Sequence, residues 1–252
     1  MLDALTALAW SLDPATLMQD AGFEPDPWQA ALLRSPARRV LLNVHRQAGK
    51  STTCAALACG EAITRDDSLI LLVSRTQRQS DELFRKLVAF YDALARPVAA
   101  VQDQARTLTL ANGSRIVSLP GEPENLRGFS APRLILVDEA SRVSDAMQAA
   151  ISPMLATVPD GRLIYLSTPC GLRGFFAEAW HDPALDWERV RVTADRCPRI
   201  SPAFLTSERA RLGPRMFAQE YLCSFEESVG QVFSTESVLN AFSSDAAPLF
   251  GA

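Results

Sequence analysis

Several features that mark particular protein classes are missing from this sequence of 252 residues. Its apolar runs are all far shorter than the roughly 18 residues of a membrane-spanning helix, so no such span is expected. The first residues include Asp3 and no basic segment, unlike a signal peptide. The five cysteines form no C-x-x-C pair and only two histidines accompany them, so neither a structural zinc site nor a disulfide framework is expected. A reducing, cytoplasmic setting follows as the expectation.

Lysine is nearly absent as well. Lys50 and Lys86 are the only lysines among 25 basic residues, and the formal net charge is −4. A negatively charged protein has no general attraction to nucleic acid, so a DNA partner would need a local basic strip or a ring of subunits. Hydrophobic residues at 48% and charged residues at 21% are typical of a globular protein with a sizeable core.

Short apolar runs recur along the chain and indicate buried strands. They lie at residues 39–44, 69–73, 134–138 and 163–167. Strands that are apolar on both faces are typical of a parallel sheet covered by helices. Segments of helical composition lie at 51–63, 78–95 and 175–180. This alternation predicts an α/β fold, a mostly parallel and doubly wound sheet flanked by helices.

One segment departs from the alternation. Residues 107–119 form two alternating runs around Asn112-Gly113, a strong short-range hairpin signal. We expect both strands of this hairpin to be antiparallel additions to the edge of the parallel sheet. A further alternating strand is expected at 188–193.

The last fifth of the chain changes character. Residues 197–225 read as two helices separated by Gly213-Pro214, which indicates a small helical subdomain packed on the core. The remaining residues, 229–252, are poor in charge and are expected to form a linker.

The first motif with chemical content is RVLLNVHRQAGKSTT, a buried strand that runs into Gly49-Lys50-Ser51 and then into a helix. Backbone N–H groups at such a helix start bind phosphates, the lysine reaches phosphate oxygens and the hydroxyl holds Mg²⁺. A lysine in a first helical turn is unfavourable without an anion, which favours this P-loop (Walker A) reading over chance. Val44 replaces the first glycine of the usual pattern, and Arg46 adds a cation. The predicted binding loop comprises Arg46, Gln47, Ala48, Gly49, Lys50, Ser51 and Thr52.

The second motif is LILVDEA, in which an apolar strand ends at Asp138 and Glu139. Open α/β sheets bind ligands at the carboxyl ends of their strands. Two adjacent carboxylates repel each other and are costly without a cation nearby. Asp138 is therefore predicted to bind Mg²⁺, as in a Walker B motif, and Glu139 to orient and deprotonate an attacking water. The alternative is an acidic, solvated turn.

Three weaker signals accompany these motifs. Ser167 and Thr168 end another strand and are candidates to sense the γ-phosphate, although a strand-capping turn explains them equally well. Trp28 and Gln29 are candidates for adenine contacts, with a buried tryptophan beside a surface glutamine as the alternative. Arg127, in a loop with Gly128, is either an arginine finger that reaches a neighbouring subunit or an ordinary surface charge.

In this order the motifs resemble the ATPase domain of the large terminase subunit, the DNA-packaging ATPase of tailed double-stranded DNA bacteriophages. The motifs that carry the resemblance are PWQ, HRQAGKST, the NGS hairpin, LRG, LILVDEA, LSTP and FAQEYLCSF. They cover roughly residues 20 to 230, and the P-loop that lacks its first glycine and carries Arg46 is the most diagnostic. The resemblance implies a P-loop NTPase of the RecA/ASCE type with an antiparallel hairpin and a small helical lid.

The resemblance also implies roles for individual residues. Lys50 and Ser51 would hold phosphate and Mg²⁺, Asp138 would bind Mg²⁺, and Glu139 would be the catalytic carboxylate. The remaining implied roles are phosphate contact by Arg46, adenine binding by Gln29, coupling of hydrolysis to motion by Ser167 and Thr168, and a trans-acting finger at Arg127. The domains would be an ATPase core at 1–196 with an N-terminal adenine-binding segment, a lid at 197–228 and a linker at 229–252.

The implied function is an ATP-hydrolysing motor domain that translocates double-stranded DNA into a viral procapsid. ATP and Mg²⁺ would be its cofactors. Its partners would be DNA, the portal protein, the small terminase subunit and further copies of itself in a ring, a pentamer. The implied location is the host cytoplasm, with transient docking on the procapsid and no membrane.

Family members also carry a nuclease domain whose acidic metal cluster is missing from this sequence, so we expect no DNA cleavage by this chain. It is either an excised ATPase domain or a natural ATPase-only protein. Two other functions remain open: a helicase-like ATPase, and a nucleotide-dependent assembly module with little turnover. Five arginines are candidates for contacts with DNA: Arg189, Arg191, Arg209, Arg211 and Arg215.

Overall fold

The buried apolar runs form the centre of one eight-stranded sheet. The computed structural model describes residues 3–226 and residue 241. The strands are β1 Arg39–Val44, β2 Leu69–Ser74, β3 Ala100–Gln104, β4 Thr107–Leu110, β5 Arg115–Pro120, β6 Leu134–Asp138, β7 Arg162–Ser167 and β8 Glu188–Val192. Their order across the sheet is β3-β4-β5-β2-β6-β7-β1-β8. All five strands predicted outside the hairpin are confirmed, and β3 was not predicted.

Strands β1, β2, β6 and β7 pair in parallel and are buried on both faces. Successive side chains of a strand point to opposite faces, so one strand contributes to two cores. In β1, Val40 and Leu42 join the cluster under one set of helices, and Leu41 joins the cluster on the other side. This two-sided burial is the reason that these runs are continuously apolar.

The helices cover both faces of the sheet. They are α1 Ala4–Leu12, α2 Thr16–Asp20, α3 Pro27–Arg34, α4 Lys50–Thr64, α5 Gln77–Ala93, α6 Pro123–Leu126, α7 Asp145–Ile151, α8 Phe175–His181 and α9 Pro202–Leu222. Three of them confirm the helices predicted at 51–63, 78–95 and 175–180. Within the described part of the chain, no helix combines the length and apolar character that crossing a membrane requires.

The hairpin corrects one expectation. Its turn lies at Asn112-Gly113, and β4 pairs with β5 in antiparallel fashion. However, β5 pairs with β2 in parallel, so only one arm of the hairpin is antiparallel to the central strands. The reason is burial: Ile116 and Val117, which point to opposite faces, are both buried, as in a central strand. A hairpin turn reverses the chain but does not decide which arm pairs with the central strands.

The C-terminal helices confirm the predicted break. Within α9, Gly213 has a φ of 76°, which separates two helical arms just before Pro214. The arms contact each other, because the Tyr221 hydroxyl donates a hydrogen bond to Glu208 at 2.8 Å and its ring meets Phe204 edge-on. The predicted linker at 229–252 lies outside the described residues, apart from residue 241.

Parallel pairing brings the carboxyl ends of β2, β6, β7 and β1 to one edge of the sheet, which we call the carboxyl edge. The opposite end of these strands is the amino edge. Strand β7 lies between β6 and β1. Any chemistry at the ends of these three strands is therefore concentrated on a short stretch of the carboxyl edge.

Candidate functional site

The loop between β1 and α4 contains two residues with a left-handed backbone conformation. Gly49 is the N-cap of α4 and has a φ of 88°, in the left-handed region that glycine adopts readily. A Cβ at this position would also lie 2.9 Å from Nε2 of Gln29. Gln47 has a positive φ of 66° as well. The loop therefore depends on glycine for two reasons, its backbone conformation and the close approach of a neighbouring side chain.

Lys50 is the first residue of α4, and its side chain turns back along the loop. Its Nζ donates hydrogen bonds to the carbonyl oxygens of Val44 at 2.9 Å and His45 at 2.8 Å. Burial lowers the pKa of this ammonium, and the charges of Asp138 and Glu139 oppose that shift. The lysine charge is thus held at the carboxyl edge and interacts with the two carboxylates at the end of β6, Asp138 and Glu139.

Asp138 ends β6 and is partly buried. Burial, together with the adjacent charge of Glu139, raises the pKa of this carboxyl to about 6, and the charge of Lys50 opposes both effects. Its Oδ1 accepts a hydrogen bond from the backbone N–H of Glu139 at 2.9 Å. A buried carboxylate beside a second carboxylate is a site at which a cation would relieve an unfavourable charge.

Glu139 has a left-handed backbone, with a φ of 55°. This conformation is uncommon for residues other than glycine and is often found at functional sites. Its Oε2 accepts a hydrogen bond from Nη1 of Arg142 at 2.9 Å. The next residues, Ala140–Arg142, form a single 3₁₀ turn.

The end of β7 is connected to this turn through hydroxyl groups. Ser167 is buried, and its Oγ accepts the backbone N–H of Ser141 at 3.2 Å. The two serine hydroxyls are 2.7 Å apart, and Ser141 Oγ donates to the carbonyl oxygen of Thr168 at 2.8 Å. The two predicted coupling residues therefore contact the segment that follows the two carboxylates.

The second arm of α9 reaches the same edge. Glu220 is 8% exposed, and its Oε2 lies 2.6 Å from Nε of Arg46 in an ion pair. Its Oε1 lies 3.8 Å from Nη2 of Arg142. The end of the helix is attached to the sheet, because Arg191 donates to the carbonyl oxygen of Leu222 at 2.6 Å.

Comparison with known proteins decides the family. A family model described as "Terminase large subunit, T4likevirus-type, N-terminal" matches residues 42–239, well over half of the chain. The chain belongs to this family. The family resemblance found in the sequence motifs is thereby confirmed.

Two relatives illustrate the extent of the match. The terminase large subunit of Thermus virus P23-45 is 32% identical over 174 residues, which are 62% of this chain and 36% of that protein. The terminase large subunit of Escherichia phage T5 is 26% identical over 142 residues, which are 54% of this chain and 32% of that protein. The chain thus aligns with about a third of the length of these curated relatives.

Solved structures agree on the fold. The large terminase ATPase domain of Thermus phage P74-26 has a TM-score of 0.71 at 24% identity, over 83% of this chain and 97% of that one. The large terminase of another thermophilic bacteriophage, solved with ADP, has a TM-score of 0.62 at 13% identity, over 85% of this chain and 52% of that one. The predicted P-loop fold is confirmed.

The predicted site residues at the ends of β1, β6 and β7 lie together at the carboxyl edge. Ala48 is buried within the loop, whereas Ser51 and Thr52 are partly exposed in the first turn of α4. Arg46 forms the ion pair with Glu220 at the same edge. Arg127 is exposed at the end of α6 and, among the described residues, forms no ion pair.

Gln29 contacts the P-loop and also caps its own helix. It is buried, its Oε1 accepts the backbone N–H of Asp26, and its Nε2 donates to Thr53 Oγ1 at 2.8 Å. The alternative of a surface glutamine is therefore wrong. Trp28 packs against the hydrophobic core. The role of Gln29 in adenine binding stays a prediction.

Two of the arginines that are candidates for DNA contact form hydrogen bonds within the subunit instead. Arg189 donates to several carbonyl oxygens around the end of α8, including that of Ala179 at 2.8 Å. Arg191 holds Leu222 at the end of α9. Because their guanidinium groups donate hydrogen bonds to carbonyl oxygens of the same chain, both arginines are poor candidates for DNA contacts.

Three residues of the site were missed in the sequence: Ser141, Arg142 and Glu220. Arg142 had a usable signal, because it stands three residues after Glu139, a spacing at which side chains meet on a helical turn. Ser141 and Glu220 had none, since their contacts are made with segments far away in the chain.

Proposed function

We propose that this chain is an ATP-hydrolysing motor domain that translocates double-stranded DNA into a viral procapsid. The observation that carries the proposal is the meeting of Lys50 with Asp138 and Glu139 at the carboxyl edge, each within electrostatic range of the others. Membership of the terminase family supports it, as does the large terminase of a thermophilic bacteriophage solved with ADP and with ATP-gamma-S.

In this proposal the loop between β1 and α4 binds the phosphates of ATP. Its backbone N–H groups and the start of α4 favour an anion, and Lys50 supplies a positive charge. Gln29 lies against the loop and is the candidate for the adenine side of the pocket. The proposed nucleotide-binding residues are Gln29, Arg46, Gln47, Ala48, Gly49, Lys50, Ser51 and Thr52.

The donor groups at this edge suit Mg²⁺. Within residues 3–226 and residue 241, no three His, Cys, Asp or Glu side chains are grouped to hold a metal by themselves. Mg²⁺ bound with a nucleotide requires few protein ligands, because phosphates and waters supply the rest. Ser51 and Asp138 would hold it, and burial beside Glu139 makes the charged form of Asp138 costly, so that a bound cation would stabilise it. When bound, Mg²⁺ would neutralise charge on the phosphates.

Glu139 is the proposed catalytic carboxylate. It would orient the attacking water and accept its proton, a contribution of roughly 10²–10⁴-fold in rate for general bases. Arg127 is the proposed finger that acts on the site of a neighbouring subunit, where such an arginine contributes on the order of 10³–10⁵-fold. Its exposure at the end of α6 leaves it free to do so.

The assembly around this domain belongs to the same proposal. Residues 1–196 would form the ATPase core and residues 197–228 the lid, with Ser167 and Thr168 as the coupling residues. The partners would be double-stranded DNA, the portal protein, the small terminase subunit and further copies of the chain in a pentameric ring. The ring would dock on the procapsid in the host cytoplasm.

The test is Glu139→Gln, with Glu82→Gln on the exposed face of α5 as the matched control. The variant should bind ATP as tightly as the original chain, while its turnover falls by at least about 100-fold. DNA packaging by the complete terminase should stop. The control should match the original chain in both measurements. Turnover and packaging that survive Glu139→Gln would leave an assembly module as the better description.

A further inference from the structure

The 3₁₀ turn Ala140–Arg142 follows the proposed catalytic carboxylate directly, and two of its residues have different partners. Ser141 bonds to Ser167 and Thr168 at the end of β7. Arg142 points the other way, between two carboxylates. Its Nη1 donates to Glu139 at 2.9 Å, and its Nη2 lies 3.8 Å from Glu220. Arg142 is therefore the residue that connects Glu139 with α9.

The two contacts of Arg142 are unequal. The bond to Glu139 has the distance of a charge-assisted hydrogen bond. The distance to Glu220 is too long for a hydrogen bond, and Glu220 lies closer to Arg46 at 2.6 Å. The side chains of Arg46, Glu220, Arg142 and Glu139 form a series in which positive and negative charges alternate, so the four charges balance. The main partner of Arg142 is consequently Glu139, and Glu220 attracts the other edge of the same guanidinium.

The surroundings of this pair distinguish it from an ordinary surface ion pair. The side chains of Arg142 and Glu139 are 21% and 25% exposed. Arg85 and Glu82 have the same i,i+3 spacing on α5 but are 73% and 48% exposed. Exposed pairs restrain their side chains weakly because water screens them, whereas a partly buried pair with a good hydrogen bond holds its geometry.

We propose that Arg142 is the positioning residue of Glu139: it holds one carboxylate oxygen, so that the other is presented to the attacking water in a fixed direction. Arg142 itself contacts neither nucleotide nor water in the reaction. The inference rests on the proposed function, since it requires Glu139 to act on water. Small errors in the placement of a catalytic group are costly, up to about 100-fold in rate.

The experiment compares Arg142→Gln and Arg142→Lys with the original chain, and Arg85→Gln is the matched control. Steady-state ATP turnover gives kcat and KM. Titration with a non-hydrolysable ATP analogue and with ADP plus fluoroaluminate gives the affinities for mimics of the ground state and the transition state. Arg142→Gln should lower kcat by about 10–100-fold and leave KM and ground-state affinity within about threefold.

Transition-state affinity should fall with kcat, because a misplaced Glu139 no longer orients the water that fluoroaluminate complexes mimic. Arg142→Lys should recover part of both losses, since a single ammonium replaces one of the two contacts. Arg85→Gln should leave all four quantities unchanged. A merely structural role for Arg142 would lower the two affinities together instead of separating them.

A double variant tests whether Arg142 acts through Glu139. Glu139→Gln alone should lower transition-state affinity, and the addition of Arg142→Gln should cause no further loss, because the residue to be positioned is already inactive. Independent, multiplicative losses would overturn the inference, and so would an unchanged kcat in Arg142→Gln. If the Glu139→Gln variant itself hydrolyses ATP at the normal rate, the proposed function is wrong, and this result is distinguishable from failure of the inference about Arg142.

Discussion

The two edges of the central sheet use similar charged residues in opposite ways. At the amino edge, Arg133 bonds to Glu61 at 2.7 Å and to Asp160 at 3.0 Å, and Arg65 lies 3.2 Å from Glu61. These groups line a cleft of about 690 Å³. At the carboxyl edge, two carboxylates are adjacent in the chain, and the nearby lysine donates its hydrogen bonds to carbonyl oxygens instead.

The pKa values reflect this difference. Burial disfavours the charged form of Arg133, but its bonds to Glu61 and Asp160 outweigh that effect and raise its pKa. Burial raises the pKa of Asp138 to about 6 and lowers that of Lys50, and in both cases the neighbouring charges do not restore the ordinary value. Charges at the amino edge stabilise the fold, whereas burial makes the charged forms of Asp138 and Lys50 at the carboxyl edge costly, as is common at functional sites.

The largest expected effect tests the charge of Lys50. Lys50→Ala should weaken ATP binding by about 100-fold or more, because a partly buried cation of the proposed phosphate-binding loop is lost. Lys86→Ala is the natural control, since it removes the only other lysine, an exposed residue on α5. Calorimetric titration with ATP measures both. Similar affinities in the two variants would show that the P-loop assignment is wrong.

Asp138→Asn should separate stability from activity. The pKa of Asp138 in the folded chain, about 6, lies above its ordinary value of 3.8, so the ionised group destabilises the fold above pH 6. Asparagine should raise the free energy of unfolding by about 1–3 kcal/mol at a pH of about 7.5 without Mg²⁺, while Mg²⁺-dependent turnover is lost. Urea denaturation measures the gain.

The pH dependence of its stability provides an internal control for the Asp138→Asn variant. As the pH falls from about 7.5 towards about 4, the original carboxyl becomes protonated in the folded state, and the advantage of Asp138→Asn should disappear. An asparagine variant that is less stable than the original chain at the higher pH would contradict the inference that the charge of Asp138 is only partly compensated.

Glu61→Gln should have the opposite effect on stability at the amino edge. It removes the carboxylate that Arg133 and Arg65 share, and the free energy of unfolding should fall by about 1–2 kcal/mol. ATP affinity and turnover should stay within about twofold, because the residue lies at the far end of α4 from Lys50. Urea denaturation measures the expected loss of stability, and ATP titration measures the expected unchanged affinity. A stability equal to that of the original chain would remove the contrast between the edges.

The smallest expected effect concerns the hydroxyl contacts of the carboxyl edge. Ser141→Ala should cost about 1 kcal/mol of stability and lower ATP turnover a few-fold, because Ser141 ties β7 to the turn after Glu139. Ser80→Ala is the comparison, since Ser80 and Ser118 form another close hydroxyl pair, 2.6 Å apart. It should cost similar stability and leave turnover unchanged. Equal turnover in the two variants would assign Ser141 a purely structural role.

Much of the candidate site was predictable because its parts are local in the chain. The conformation of Gly49 follows from a strand, a short loop and a helix in immediate succession. The pairing of β5 with β2 was not predictable, since the hairpin pattern is the same whichever arm pairs with the central strands. The contact of Arg191 with the end of α9 was not predictable either, because its neighbours in the sequence do not distinguish it from a solvent-exposed arginine.

The sequence by itself determined the buried strands, the P-loop and the acidic strand end, because hydrophobic periodicity and turn chemistry are encoded within short windows. Only the tertiary structure decided that Arg46 pairs with Glu220 and that Arg142 lies between Glu139 and Glu220. Such partners come from segments far apart in the chain. Their meeting depends on how helices pack on the sheet, which no local pattern records.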